Sequence, residues 1–553
     1  MACRSLALFL LMLLAPFAGA APGPVTVVEN VTGYTLDDGE LRRFAGLSFA
    51  DGVVLALHGT AAEAAAAPGD RRIDGAGATL LPGLIDAHGH VAGHGKALAT
   101  VRLGGAGSEA EAADRVAAFA AAHPGTGWIE GSGWNQVTWP GRAFPRRAAL
   151  DAVVPDRPVA LERVDGHALW VNSRALELAA IDAFTEDPLG GQILRDSAGE
   201  PTGVLIDNAM ALVTAARPAE DLTATMGHIA RGLADLAANG LTAVHDAGVT
   251  AQELAAYRRL LARGELPVRV YAMLSMRDPA VAVQLAAGPE QDSRGLLSVR
   301  SVKLYADGAL GSRGAALLEP YSDEGENRGL LLREPAELEA QMRRAAAAGF
   351  QVNVHAIGDR ANRLVLDAFS RLPDRALRRH RVEHAQILTL TDLERFAALD
   401  VIASVQPTHA TSDKNMAGDR LGEARLAGAY AWQSLLESGA RVAFGSDFPV
   451  EDPNPFFGLH AAVTRQDREG EPPGGWRPAE KLDRATALSL FTEGAAWAMH
   501  EEARLGRLLP GYAADFILVR DDPFAVAADD LWRNAVLATW VDGREVYSAN
   551  VGQ

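Results

Sequence analysis

From Leu80 to Asp447 the chain repeats one pattern. A short apolar run ends in a polar, often ionisable, residue, and an Ala-rich amphipathic stretch follows. The apolar runs are Leu80–Asp86, Gly240–His245, Val268–Met273, Val302–Tyr305, Gln351–His355, Arg381–His384, Ile402–Gln406 and Val442–Asp447. The intervening stretches, such as Ala336–Ala348 and Leu393–Leu399, carry helical periodicity. Strands alternating with helices predict a parallel sheet. Eight such units predict an α/β fold, a (β/α)8 TIM barrel.

The two chain ends read differently. Val25 to Leu80 consists of short strands, with Leu47–Phe49 and Val53–Leu57 flanking the turn dipeptide Asp51-Gly52. Near the C-terminus, Asp515–Val519 is a strand, and Val536–Trp540 meets Glu545–Tyr547 across Asp542-Gly543. Neither end is long enough for a good core alone. The economical expectation is one small β-sandwich built from both, over 21–80 plus 491–553; two separate small domains are the alternative. The barrel is then assigned to 81–490. That span exceeds a plain barrel of about 250 residues, and the excess falls between the first two strands. An insertion over 105–238 is therefore expected after barrel strand 1, where it would overhang the barrel mouth as a lid or substrate wall.

Composition narrows the class. The 553 residues are 48% hydrophobic and 22% charged, as in soluble globular proteins, and the formal charge of −18 argues against a nucleic-acid partner. Arg4, the apolar run Leu6–Ala15 and the site Ala18-Gly19-Ala20 read as a signal peptide over 1–20, with an uncleaved anchor as the alternative. A secreted or periplasmic protein without membrane attachment after cleavage is expected. The single cysteine, Cys3, lies within that segment, so the mature chain would hold no thiol ligand or disulfide. Lysine is scarce: Lys96, Lys303, Lys414 and Lys481 are four among 52 basic residues. A lysine inside the apolar run Val302–Tyr305 is thus no casual surface charge. Unlike arginine, it can lose its proton when buried.

The ionisable residues fall where barrel strands end. His88 and His90, two residues apart on an extended segment, point to one side. Lys303 lies in strand 4, His355 ends strand 5, His384 ends strand 6 and Asp447 ends strand 8. In a closed barrel these ends share one mouth. Four imidazoles and a carboxylate suit Zn²⁺, and also Mn²⁺ or Fe²⁺. Each residue has a bland reading as well: a hydrogen-bonded core histidine, a helix cap at Asp447, a buried ion pair at Lys303. The joint placement favours the metal site.

At these residues the chain resembles a known family. Pro82-Gly83-Leu84-Ile85-Asp86-Ala87-His88-Gly89-His90 is similar to the first-strand signature of the amidohydrolase superfamily. The stretches Val302–Arg313, Val354–Asp359 and Gly506–Phe516 resemble amidohydrolase family 3, which includes N-substituted formamide deformylase-like proteins. The resemblance covers Val25 to Tyr547. It implies a TIM barrel with a β-sandwich from both ends, and two divalent ions, zinc by expectation, bridged by carboxylated Lys303. His88, His90 and Asp447 would hold one ion, and His355 and His384 the other; a single ion is the fallback if Lys303 is not carboxylated.

Metal-bound hydroxide, formed because a cation lowers the pKa of its water to about 7, would attack a small-molecule C–N bond of amide or formamide type. Asp447 would serve as the catalytic base, then acid. Ester or lactone hydrolysis, deamination, or a silent periplasmic binding protein are the alternatives. Arg163, Asp165, His167 and Trp134 in the insertion are candidate substrate contacts; His245, which ends strand 2 and so faces the mouth, is expected either to contact substrate or to support the metal ligands from behind. For the first three a structural salt-bridge role is equally open, and for Trp134 a place in the insertion core. His94 and His409 are candidate pocket donors, with surface placement the favoured expectation. Gly308–Gly314 lacks the phosphate-loop pattern and is expected to permit close packing at the mouth. Relatives of the family are often dimers, which extends to this chain only as an expectation.

Overall fold

A computed structural model describes residues 23–549 except Asp38. The expected signal peptide lies outside the described residues. Eight parallel strands form the central sheet: β1 (Leu84–Gly89), β2 (Leu241–Val249), β3 (Arg269–Ser275), β4 (Leu297–Tyr305), β5 (Gln351–Ala356), β6 (Arg381–His384), β7 (Ile402–Val405) and β8 (Val442–Phe444). Each is bonded to the next in that order. At the seam between β8 and β1 the Asp447 N–H donates to the His88 carbonyl at 2.7 Å. The buried Asp86 carboxylate accepts the Ser446 hydroxyl at 2.6 Å and the Ser446 N–H at 3.1 Å. Burial pushes this carboxyl up to about 7, against the pull of those hydrogen bonds.

Helices cover the strands where apolar residues recur at helical spacing. In Pro335–Ala347 the buried positions are Leu338, Met342, Ala345 and Ala346. Proline opens that helix, where its missing N–H costs no intrahelical bond. In Asp359–Ser370, Ala361, Val365, Leu366 and Phe369 face the barrel.

One expected strand divides in two. Thr79–Pro82 does not belong to the barrel: it pairs antiparallel with Phe516–Val519 and parallel with Thr32–Asp37. The chain leaves that sheet at Gly83, whose N–H donates to the Asp515 carbonyl at 2.9 Å, and enters β1 at Leu84. Continuous apolar character concealed the change, because both halves are fully buried. The end sheet runs Arg544–Ser548, Val536–Val541, Phe516–Val519, Thr79–Pro82, Thr32–Asp37, Glu40–Phe44. A second sheet holds Val53–His58, Gly46–Ala50, Thr26–Glu29 and Arg71–Asp74. Val28, Leu47 and Phe49 of one sheet pack with Leu80, Phe516 and Trp540 of the other. The Phe516 and Trp540 rings stack at 4.7 Å.

Between β1 and β2 lies a further six-stranded sheet, ordered Gly191–Arg195, Pro201–Asp207, Ala168–Val171, Val159–Arg163, Ile129–Trp134, Val101–Arg102. It has apolar cores of its own around Trp134, Trp139 and Trp170, and around Leu169 and Leu205.

Barrel and end sheet are joined by a buried ion pair. Arg269 of β3 donates to Asp515 through Nε at 2.6 Å and Nη2 at 3.0 Å, and through Nη1 to the Arg294 carbonyl at 2.8 Å. Removing one partner strands a buried charge. Arg269→Met is expected to lower the unfolding free energy by about 3–5 kcal/mol, measured by urea denaturation. Adding Asp515→Leu should recover much of that loss.

Candidate metal centre

The strand ends of β1, β4, β5, β6 and β8 meet in one buried cluster. Lys303 Nζ lies 2.9 Å from His88 Nε2. Asp447 Oδ1 is 3.1 Å from His90 Nε2 and 3.4 Å from His88 Nε2, and its Oδ2 is 3.7 Å from His409 Nε2. The His384 ring lies 4.8 Å from that of His88, 4.6 Å from that of His355 and 5.9 Å from that of His409, centroid to centroid. Two groups offer three donor atoms within 4.8 Å of one another: His88, His90 and Asp447; and His384, His409 and Asp447. The second group uses His409 where His355 was expected.

The donor chemistry fits a divalent cation. Three imidazoles have Nδ1 engaged by an acceptor: His88 by Glu383 at 2.5 Å, His90 by the Ala247 carbonyl at 2.7 Å, His384 by Gln406 Oε1 at 2.9 Å. The proton therefore sits on Nδ1, and Nε2 keeps its lone pair, the arrangement typical of a metal-ligating histidine. Nε2 of His355 and of His409 are buried without any hydrogen bond. Burial holds His88, His355 and His384 well below the ordinary imidazole pKa, so they stay neutral. The same burial lowers Lys303 to about 8, opposed by Glu383 and Asp447. Asp447 shows the reverse: burial would raise it, but His88, His90 and His409 hold its carboxyl below the usual range. His384 and Asp447 both adopt left-handed backbone, φ 75° and 63°. Such conformations cost free energy and concentrate at functional sites.

Above the cluster opens a cavity of about 600 Å³. The insertion supplies much of its wall. Arg163 pairs with Asp165 and donates Nε to Gln136 at 2.8 Å. His167 donates Nδ1 to Asp207 at 2.5 Å, and its ring lies 5.1 Å from that of His355. Burial opposes protonation of His167, but Asp207 outweighs it and its pKa is raised. The loop after β4 admits these groups at its glycines: a Cβ on Gly308 would meet Asp207 Oδ2 at 2.4 Å, and one on Gly311 would meet Arg163 Nη1 at 2.7 Å.

For four residues the structure departs from the favoured expectation. Trp134 is not a cavity wall; it is fully buried in the insertion core, its indole N–H bonded to the Leu161 carbonyl at 2.8 Å. His245 does not face the mouth, because β2 continues to Val249 and leaves it inside the barrel, accepting from Arg381 Nη1 at 2.8 Å. His94 and His409 are not surface residues. His94 is buried against Asp235 at 2.8 Å, and His409 faces Asp447.

A model described as "Amidohydrolase family" matches residues 71–547. The chain belongs to the amidohydrolase family. Among its relatives, the "Putative amidohydrolase YtcJ" of Bacillus subtilis (strain 168) is 33% identical over 476 residues, 85% of this chain and 89% of that protein. "N-substituted formamide deformylase" of Arthrobacter pascens is 29% identical over 516 residues, 88% and 92% of the two chains. The crystal structure of an uncharacterized metal-dependent hydrolase from Pyrococcus horikoshii OT3 superposes with a TM-score of 0.74 at 29% identity, covering 91% of this chain and 99% of the other. This amidohydrolase thus has hydrolase chemistry dependent on a divalent metal as its family background.

Sequence reasoning missed several residues of the site. Glu383 precedes His384 yet points to His88; Arg381 in turn pairs with Glu383, 2.8 Å from its Oε1. Asp307 accepts three backbone N–H groups, from Ala316, Ile357 and Gly358, and lies 3.6 Å from His355 Nε2; burial pushes it up to about 7. Alternation along β6 puts Glu383 and His384 on opposite faces, so no local pattern marks both as one site. Removing the orienting carboxylate should loosen His88. Glu383→Gln is expected to weaken metal affinity about 10- to 100-fold, read by competition with a chromophoric chelator, and His409→Ala to lower the metal content per chain, read by elemental analysis.

Proposed function

We propose that this chain hydrolyses amide-type C–N bonds of small molecules, with one or two divalent cations at the barrel mouth. The observation that carries this reading is the set of Nε2 atoms gathered around Asp447 at the floor of the cavity. His88, His90, His384, His409 and Asp447 would hold the metal, with His355 beside them. The nitrogen-rich donor set suits zinc. When bound, such a cation polarises a carbonyl and acidifies a water to a pKa of about 7.

The protein's own groups supply the rest. Asp447 sits among the Nε2 atoms of His88, His90 and His409, where a bound cation would keep it a carboxylate. It can take the proton of the attacking water and pass it to the departing amine nitrogen. His167, with its pKa raised by Asp207, offers a hydrogen-bond donor at the wall. Lys303, at about 8, is far more often a free amine near neutrality than an exposed lysine. That favours carboxylation, in which Nζ bonds the carbon of CO₂ and releases a proton. The A. pascens relative, a deformylase of N-substituted formamides by name, supports the C–N assignment.

A panel of N-formyl and N-acyl amines, esters and lactones tests the reaction class on zinc-loaded protein. Amide hydrolysis abolished by chelation and restored by Zn²⁺ is expected; turnover confined to esters and lactones would sink the assignment. Asp447→Asn should retain most of the metal by elemental analysis while kcat falls about 10²- to 10⁴-fold. Near-normal turnover would remove Asp447 from proton transfer.

A further inference from the structure

Besides Lys303, five cationic side chains line the cavity: Lys96, Arg163, Arg217, Arg277 and Arg333. Four have carboxylate partners. Lys96 lies against Glu130 and Glu220, Arg163 against Asp165, Arg217 3.8 Å from Glu130, and Arg333 2.9 Å from Glu337. Arg277, among the described residues, has no ion pair and no side-chain hydrogen bond. Its sequence neighbour Asp278 does not neutralise it, because that carboxylate accepts the N–H of Ala251 at 2.8 Å and of Ala280 at 2.9 Å. The other unpaired charge on the cavity wall, Glu162, lies in electrostatic reach of Arg217, Lys96, Glu130 and His90, on the insertion side.

Position and rigidity both suit Arg277 to a ligand. It follows β3 at the C-terminal rim of the barrel. Its guanidinium carbon sits 4.0 Å from the centroid of the Tyr305 ring. The same ring lies 5.0 Å from Lys303 Nζ and 5.6 Å from the His355 ring, which puts Arg277 beside the metal cluster. Stacking on an aromatic face fixes the guanidinium while leaving its N–H edges free. A planar fork held this way matches a carboxylate bidentately and loses little entropy on binding.

We propose that Arg277 anchors an anionic, carboxylate-class group of the substrate, so that the preferred substrates are amides bearing a negative charge near the scissile bond. The proposal rests on the amide-hydrolase reading above. It also gives a reason for a cation without an ion pair in a cavity where the other four each have a carboxylate within 4 Å.

The test uses zinc-loaded full-length protein and ω-formamido carboxylates of increasing chain length, each matched with its primary carboxamide. Wild-type protein should favour the carboxylate in kcat/KM. Arg277→Gln should raise KM for the carboxylate about 10- to 100-fold, with kcat and the carboxamide little affected, and Arg277→Lys should fall between. Equal handling of both series by the wild type would overturn the proposal, as would an equal fall in kcat for both in Arg277→Gln. Calorimetry of the same compounds separates the two readings. Absence of turnover sinks the hydrolase assignment, yet a carboxylate-selective affinity lost in Arg277→Gln would still support the anchor, and equal affinity would refute it.

Discussion

The centre depends on burying imidazoles deeply enough to keep them neutral while their lone pairs still face a common point. Burial strips water from the rings of His88, His355 and His384, while His90 stays partly open to the cavity. His88, His355 and His384 are all held well below the ordinary imidazole pKa by burial. The same desolvation acts on Lys303 and would act on Asp447, but the surrounding imidazole nitrogens reverse its sign there. Desolvation disfavours the charged form of either group: it frees the Lys303 amine, and at Asp447 it is outweighed by the neighbouring histidines.

That environment is held from below by a second layer of charge. Arg381 reaches across the barrel interior to Glu383, His245, Ser404 and the Ala87 carbonyl. It keeps Glu383 engaged, and Glu383 fixes the ring of His88. An isolated charge would be costly at this depth; a connected set is tolerable because each member has partners. His245 therefore matters as a packing and hydrogen-bonding element of the layer under the site rather than as a contact for substrate.

Division of labour follows from topology. The barrel gathers the candidate metal donors from strand ends far apart in sequence and from the helix after β7. The insertion after β1 supplies much of the wall, with Arg163, Asp165 and His167, and the glycine loop after β4 lets that wall approach closely. Substrate selectivity can then vary in the insertion without disturbing the donors.

Periodicity alone disclosed the barrel, because alternation of apolar strand and helix is a local property. His88, His90, Lys303, His355, His384 and Asp447 were legible as a group, since each stands at or beside a strand end and strand ends of a closed barrel share a rim. The role of His409 was hidden: it lies on a helix after β7, and helix phase relative to the mouth is set by packing, not by spacing. Whether His245 reaches the rim or lies beneath it stayed open in the sequence, because strand length depends on pairing with both neighbours. Trp134 went to the insertion core because three other aromatic rings surround it there, a contact no linear pattern records. The amino-acid order determined which elements form and which residue types stand at their ends. Which nitrogen faces which carboxylate was decided only when strands hundreds of residues apart closed into one ring, since direction and depth of a side chain belong to the packed neighbours around it.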